Sequence, residues 1–194
     1  MIIKLNNIDK FLINLPERKD RLKRSISEIN SFFTNTDFNL ICGDRLESPE
    51  LSIASSHIKC MKESLDKEYI LIMEDDIKFI SNKSFEYAQT AFDNAPPDAD
   101  ILLGGAYFKR GIYKYNNYWD RVEDFCALHF YIVKTSSYQK IIDNYSRGHL
   151  DRWMGPNLKC YCTKLLFTKQ YNGFSDNTGK YENYDHHINK YKTI

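Results

Sequence analysis

Three consecutive carboxylates, Glu74-Asp75-Asp76, close an unbroken apolar run, Tyr69-Ile70-Leu71-Ile72-Met73. If the chain stays extended through the triplet, Glu74 and Asp76 project to one side and Asp75 to the other. Two carboxylates on one side repel each other unless a cation or hydrogen-bond donors neutralise them. Hard oxygen ligands suit Mg²⁺ or Mn²⁺, with water and phosphate oxygens completing the shell. That is the chemistry of a metal-diphosphate site. The competing reading is a solvated acidic turn or the cap of a following helix. The apolar run favours the ligand site, because ligands of open α/β sheets bind beyond the carboxyl ends of buried strands.

Other residues could serve the same site. Asn14, Arg18 and Arg21 follow the apolar run Lys10 to Leu15. The two arginines are three apart, so both can face one side of a helix start and grip a phosphate or a nucleoside; a solvated helix face is the alternative. His57, flanked by Ser55 and Ser56, is read either as a structural helical histidine or as a supporting group. Asp151, in His149-Leu150-Asp151-Arg152-Trp153, stands near a helix start beside an aromatic that can stack on a sugar, a setting suited to a general base acting on a hydroxyl. Asp176, His186 and His187 lie in the polar tail, where the two histidines read as surface decoration.

The elements that must position these groups follow from periodicity. Residues 10–15 and 38–42 read as strands, 17–33 and 50–67 as amphipathic helices, with Ile53, Ile58, Met61 and Leu65 facing inward on the second. Residues 69–73 lack alternation, as in a strand covered on both faces. A third helix over 79–94 and a strand over 100–103, ending in Gly104-Gly105, complete three strand-helix alternations. The expected fold class is therefore α/β, with a mostly parallel central sheet flanked by helices. Residues 107–124, rich in Tyr, Asn, Lys and Arg and without period, read as a long functional loop. Within it Tyr113, Tyr115, Tyr118 and Trp119 are candidates, with Trp153, for stacking on an acceptor. Residues 125–133 and 161–167 read as strands, 135–145 as a helix capped by Thr135 or Ser136, 150–158 as a short helix, and the tail as a loop and a weak helix.

The chain has 194 residues, 42% hydrophobic and 27% charged. It is long enough to bury about 70% of its unfolded surface without disulfides. Lys and Arg number 27 against 26 Asp and Glu, a net charge of +1, which removes the electrostatic case for nucleic acid as a bulk ligand. No apolar run approaches the roughly 20 residues of a transmembrane segment, and Met1 to Asn6 lacks a secretory core. Five irregularly spaced cysteines suit a reducing compartment. The richness in Asn, Ile, Lys and Tyr points to a low-GC genome, bacterial or viral. The expected location is the cytoplasm, the host's if the source is a virus.

In this order the motifs resemble glycosyltransferase family 25, the lipopolysaccharide and collagen galactosyltransferase family. The resemblance rests on Phe11-Leu12-Ile13-Asn14-Leu15 with Arg18, Asp20 and Arg21; Ser56-His57; Ile70 to Asp76; Gly104-Gly105; His149-Leu150-Asp151; and Gln170 with Ser175-Asp176. It implies a GT-A domain over residues 1–170, a tail over 171–194 closing on the site, and a nucleotide-sugar donor, with a UDP-hexose favoured. It further implies Mn²⁺ or Mg²⁺ on Glu74 and Asp76, donor contacts from Asn14, Arg18, Arg21, His57 and Asp75, and Asp151 as base of an inverting transfer. The acceptor would be a glycan, a lipid-linked oligosaccharide or a protein hydroxyl. Three rivals stand beside it: a nucleotidyltransferase, which would be expected to show a glycine-rich phosphate loop that the sequence lacks, an inert nucleotide-sugar or glycan-binding module, and a scaffold.

Overall fold

The computed structural model describes residues 3–194; Met1 and Ile2, the start of the stretch read for a leader, lie outside them. The elements in chain order are β1 (Asp9–Asn14), α1 (Lys19–Phe32), β2 (Asn39–Cys42), α2 (Pro49–Lys62), β3 (Tyr69–Glu74), β4 (Ile77–Phe79), α3 (Ser84–Asp93), β5 (Ile101–Leu103) and β6 (Tyr107–Lys114). They continue with β7 (Trp119–Cys126), β8 (Phe130–Lys134), α4 (Tyr138–Asn144), α5 (Leu150–Asn157), β9 (Cys160–Thr163), β10 (Thr168–Gln170), β11 (Gly173–Ser175), β12 (Lys180–Glu182) and α6 (Tyr184–Ile188).

Eight strands form one sheet in the order β2-β1-β3-β8-β5-β9-β7-β6. The pairs β1 with β2, β1 with β3 and β5 with β9 are parallel, and the other four are antiparallel. Six of the eight strands consequently point the same way, with β8 and β7 reversed. The mostly parallel α/β sheet is thus present, in mixed form. Side chains of β3 alternate between two cores, as a pleated strand covered on both sides requires. Ile70 and Ile72 join Phe11, Ile41, Ala54 and Met61 on the α2 face, while Leu71 and Met73 join Leu12, Ile29 and Phe92 on the face of α1 and α3.

Local sequence explains where elements begin and end. Ser48 accepts a hydrogen bond from the Leu51 N–H, and Pro49 occupies the first turn, so α2 starts at this cap. It stops at Lys62, which leaves Leu65 beyond the helix and 60% exposed rather than in the core. The residues that α2 buries include Ala54, His57, Cys60 and Met61.

Several expectations are corrected. Residues 107–124 are not a loop but most of the antiparallel β6-β7 hairpin. The strand pattern is hidden because β6 is an edge strand with an exposed outer face, a register shift between Tyr107 and Arg110, and Gly111 at φ +55°. The run 125–133 is divided between the end of β7 and β8, and 161–167 between β9 and the approach to β10. The third helix is shorter than expected, because residues 77–79 form β4, which pairs with β10. Residues 135–145 open with a 3₁₀ turn over Thr135–Ser137, and neither Thr135 nor Ser136 caps α4. The tail forms the β11-β12 hairpin before its helix. Among the described residues no helix is long and apolar enough to cross a membrane.

Candidate active site

A cavity of about 580 Å³ lies over the carboxyl ends of β1 and β3. Asn14, Arg21, His57, Glu74, Asp75, Asp76 and Asp151 all line it. The three carboxylates of the triplet have different partners, and this separates their chemistry.

Asp75 is fully engaged. Its Oδ2 accepts from Asn14 Nδ2 at 2.7 Å and its Oδ1 from Arg21 Nη1 at 3.1 Å, while Ser25 Oγ donates to its backbone carbonyl at 2.7 Å. Burial raises its pKa, and Arg21 only partly offsets this. Glu74 Oε1 lies 3.1 Å from His57 Nε2, and His57 Nδ1 lies 3.0 Å from the Tyr131 hydroxyl. Burial would raise the Glu74 carboxyl, but the His57 hydrogen bond together with neighbouring groups that include Arg21 outweighs it and holds the carboxyl below the ordinary value. Asp76 is the exception. Its Oδ2 accepts from Gln170 Nε2 at 2.9 Å, and its Oδ1 is buried with no partner among the described residues. Burial, with Glu74 and Asp75 close by, pushes Asp76 up to about 8.

An orphaned buried carboxylate oxygen is open to a proton, an ordered water or a cation. Among the described residues no group of three or more His, Cys, Asp or Glu side chains could hold a metal alone. One or two carboxylates plus substrate phosphates is nevertheless the usual way Mg²⁺ is held. Asp76 with Glu74 therefore fits a divalent cation that arrives with a phosphorylated ligand.

Arg18, the remaining nucleotide candidate, sits at the start of α1 and pairs with Asp176. Arg21 reaches the same carboxylate at 3.3 Å and Arg45 reaches it at 3.7 Å. Asp176 thus draws the tail to the arginines at the cavity edge. Across the cavity, Asp151 accepts from the Ala127 N–H through Oδ2 at 2.9 Å and from the Arg152 N–H through Oδ1 at 2.8 Å. Burial raises its pKa despite these donors.

No family model matches this chain, and no curated protein matches it, so the resemblance to glycosyltransferase family 25 rests on its motifs. Among solved structures, the chain is similar to A197 from STIV, with TM-score 0.47, 16% identity and coverage of 91% of this chain and 94% of that one. It is also similar to a glycosyltransferase involved in glycosylation of the major capsid of PBCV-1, with TM-score 0.48, 8% identity, and coverage of 76% and 73%. A third is a mannose-1-phosphate geranyltransferase from Thermus thermophilus, with TM-score 0.47, 9% identity, and coverage of 80% and 73%.

The aromatic candidates are not at the cavity. Trp119 is 0% exposed and its indole donates to the Ala91 carbonyl at 2.8 Å, so it is a core residue and cannot stack on a ligand. Tyr118 packs near Tyr87, Trp153 packs near Tyr145, and neither lines the cavity. The cavity is lined instead by Tyr107, Phe108 and Tyr184, with the imidazoles of His57, His149 and His187, so His187 is not tail decoration. His129, not singled out from the sequence, is fully buried behind Tyr107, and desolvation lowers its pKa to about 4. Tyr131 is likewise new, as the partner of His57. No short sequence signal marks these residues; they reach the site because β8 inserts between β3 and β5.

Proposed function

We propose that this chain is a metal-dependent, inverting glycosyltransferase. It would move a hexose from a nucleoside-diphosphate sugar, a UDP-hexose by preference, to a hydroxyl of a glycan, lipid-linked oligosaccharide or protein. The observation that supports it most is the Asp76 carboxylate. One of its oxygens is held by Gln170 and the other is buried and unpartnered, beside Glu74, in a cavity that also contains Asp151.

In this reading Asp76 and Glu74 hold Mn²⁺ or Mg²⁺, which would neutralise charge developing on the leaving diphosphate. Arg21, Arg18 and Asn14 bind the nucleotide part of the donor. Asp75 orients Arg21 and Asn14, and His57 orients Glu74. Asp151 accepts the proton of the acceptor hydroxyl as its oxygen bonds to the anomeric carbon. The bond from that carbon to the diphosphate oxygen breaks on the opposite face, so configuration inverts.

A thermal-shift panel of nucleotide sugars, each with and without Mn²⁺, followed by donor turnover, tests this. One donor should raise the melting temperature only with metal, as preferential binding to the folded chain requires. Absence of any shift would leave the scaffold reading, and binding without turnover the inert module. Pyrophosphate release from a nucleoside triphosphate and a sugar 1-phosphate would instead identify a nucleotidyltransferase.

A further inference from the structure

Two non-glycine residues among those described hold a left-handed backbone, Phe108 at φ +50° and Ala127 at φ +86°. Both line the cavity. L side chains avoid this region, and where the surrounding structure enforces it the strain often serves a site. For Ala127 the service is visible, because its N–H holds Asp151.

Phe108 lies in the register shift between Tyr107 and Arg110, and it remains 46% exposed instead of packing into either core. Its ring meets that of His187 edge-on, with centroids 4.9 Å apart. Tyr107 stands behind it, stacked on His129 with centroids 5.8 Å apart. This wall is tied to both reacting sides of the cavity. The Tyr107 hydroxyl accepts from the Gln170 N–H at 3.0 Å, and the Gln170 side chain holds Asp76. Tyr107 also pairs with Cys126, the neighbour of Ala127, which holds Asp151. Phe108 is therefore connected to the diphosphate side through Gln170 and to the base side through Ala127.

We propose that Phe108, flanked by His187, is the platform on which a sugar ring of the acceptor stacks, presenting a hydroxyl to Asp151. An aromatic face is negative and its edge positive, so it suits the polarised C–H face of a pyranose. The nucleobase is the less favoured occupant, because the nucleotide groups Asn14 and Arg21 belong to β1 and α1. This assignment rests on the glycosyltransferase reading for what the bound sugar does, not for whether it binds.

Saturation-transfer NMR with the methyl glycosides of glucose, galactose and mannose, with and without UDP and Mn²⁺, tests it. The variants are Phe108→Gly, which removes the ring while accepting the backbone angle, and Phe108→Trp, which keeps an aromatic face. At least one glycoside should bind the wild type. Phe108→Gly should weaken it about five- to tenfold, Phe108→Trp should retain it, and the UDP thermal shift should be the same in all three. Failure of every glycoside to bind the wild type, equal binding by Phe108→Gly, or loss of UDP affinity in that variant would each overturn the proposal. If UDP fails to bind the wild type while a glycoside binds through Phe108, the donor reading fails and the sugar platform stands.

Discussion

The Ala127 N–H donates to Asp151 Oδ2 at 2.9 Å from a backbone held at φ +86°. The proposed base is thereby fixed by β7-side backbone rather than by a flexible side chain. Each of its oxygens accepts one backbone N–H, which leaves acceptor capacity on a carboxylate that lines the cavity.

Burial holds the Asp151 carboxyl above its ordinary 3.8. A base must be ionised to accept a proton, so kcat/KM should fall on the acid side with an inflection above pH 3.8. Asp151→Asn should lower kcat/KM by about 10²- to 10⁴-fold and remove that inflection. The stability effect has the opposite sense: with the folded pKa above the unfolded one, the contribution is greatest below pH 3.8 and is lost as pH rises through the folded value. A pH-rate profile of both proteins checks the assignment, and an unchanged profile in the variant would remove Asp151 from the reaction.

Asp76→Asn should separate stability from metal binding. It removes a carboxylate that Glu74 and Asp75 repel, so the melting temperature in chelator should stay the same or rise. The Mn²⁺-dependent shift with UDP should disappear, and kcat/KM should fall by about 10²-fold or more. Scanning fluorimetry with EDTA, Mn²⁺, and Mn²⁺ plus UDP reads all three states. A variant that keeps the full metal-dependent shift would refute the role of Asp76.

His57 joins Glu74 to Tyr131 inside the α2 face of the fold. His57→Ala leaves both partners short of a hydrogen bond and opens a cavity, a loss of about 2–4 kcal/mol. Tyr131→Phe removes one hydroxyl and should cost about 1 kcal/mol. Urea unfolding gives the order, and a smaller loss for His57→Ala than for Tyr131→Phe would contradict the bridging role.

Gly155 lets α5 approach β7. A Cβ there would collide with the Glu123 carbonyl oxygen and sit 2.9 Å from its carbon. Gly155→Ala should cost about 1–3 kcal/mol by forcing the two elements apart. The same displacement moves Asp151, also on α5, so kcat should fall with stability. Gly173→Ala, with nothing within 4 Å, is the control that should leave the melting temperature nearly unchanged.

The early strands and helices were legible because burial on both faces leaves unbroken apolar runs and helices repeat their apolar positions. The acidic triplet was legible because it ends such a run, and its three side chains, with Asn14, Arg21, His57 and Asp151, do share one cavity. The late strands were less so. An edge hairpin with a register shift has no steady alternation, and β8 and β9 take sheet positions that chain order does not reveal. Aromatic residues were misplaced for a related reason: composition cannot distinguish a Trp such as Trp119, packed against Phe92, from a Phe such as Phe108, turned outward by the register shift.

By itself the sequence determined that a charged triplet must stand at the end of a buried strand, since carboxylates cannot continue an apolar core without partners. Only the tertiary structure decided which partner each carboxylate has. Asn14 and Arg21 converge on Asp75, His57 on Glu74, and Gln170 on one oxygen of Asp76, from segments as far apart as β1 and β10. The unpartnered oxygen of Asp76 is a product of that convergence. It depends on distances between elements, which pairing and packing set and local residue order does not.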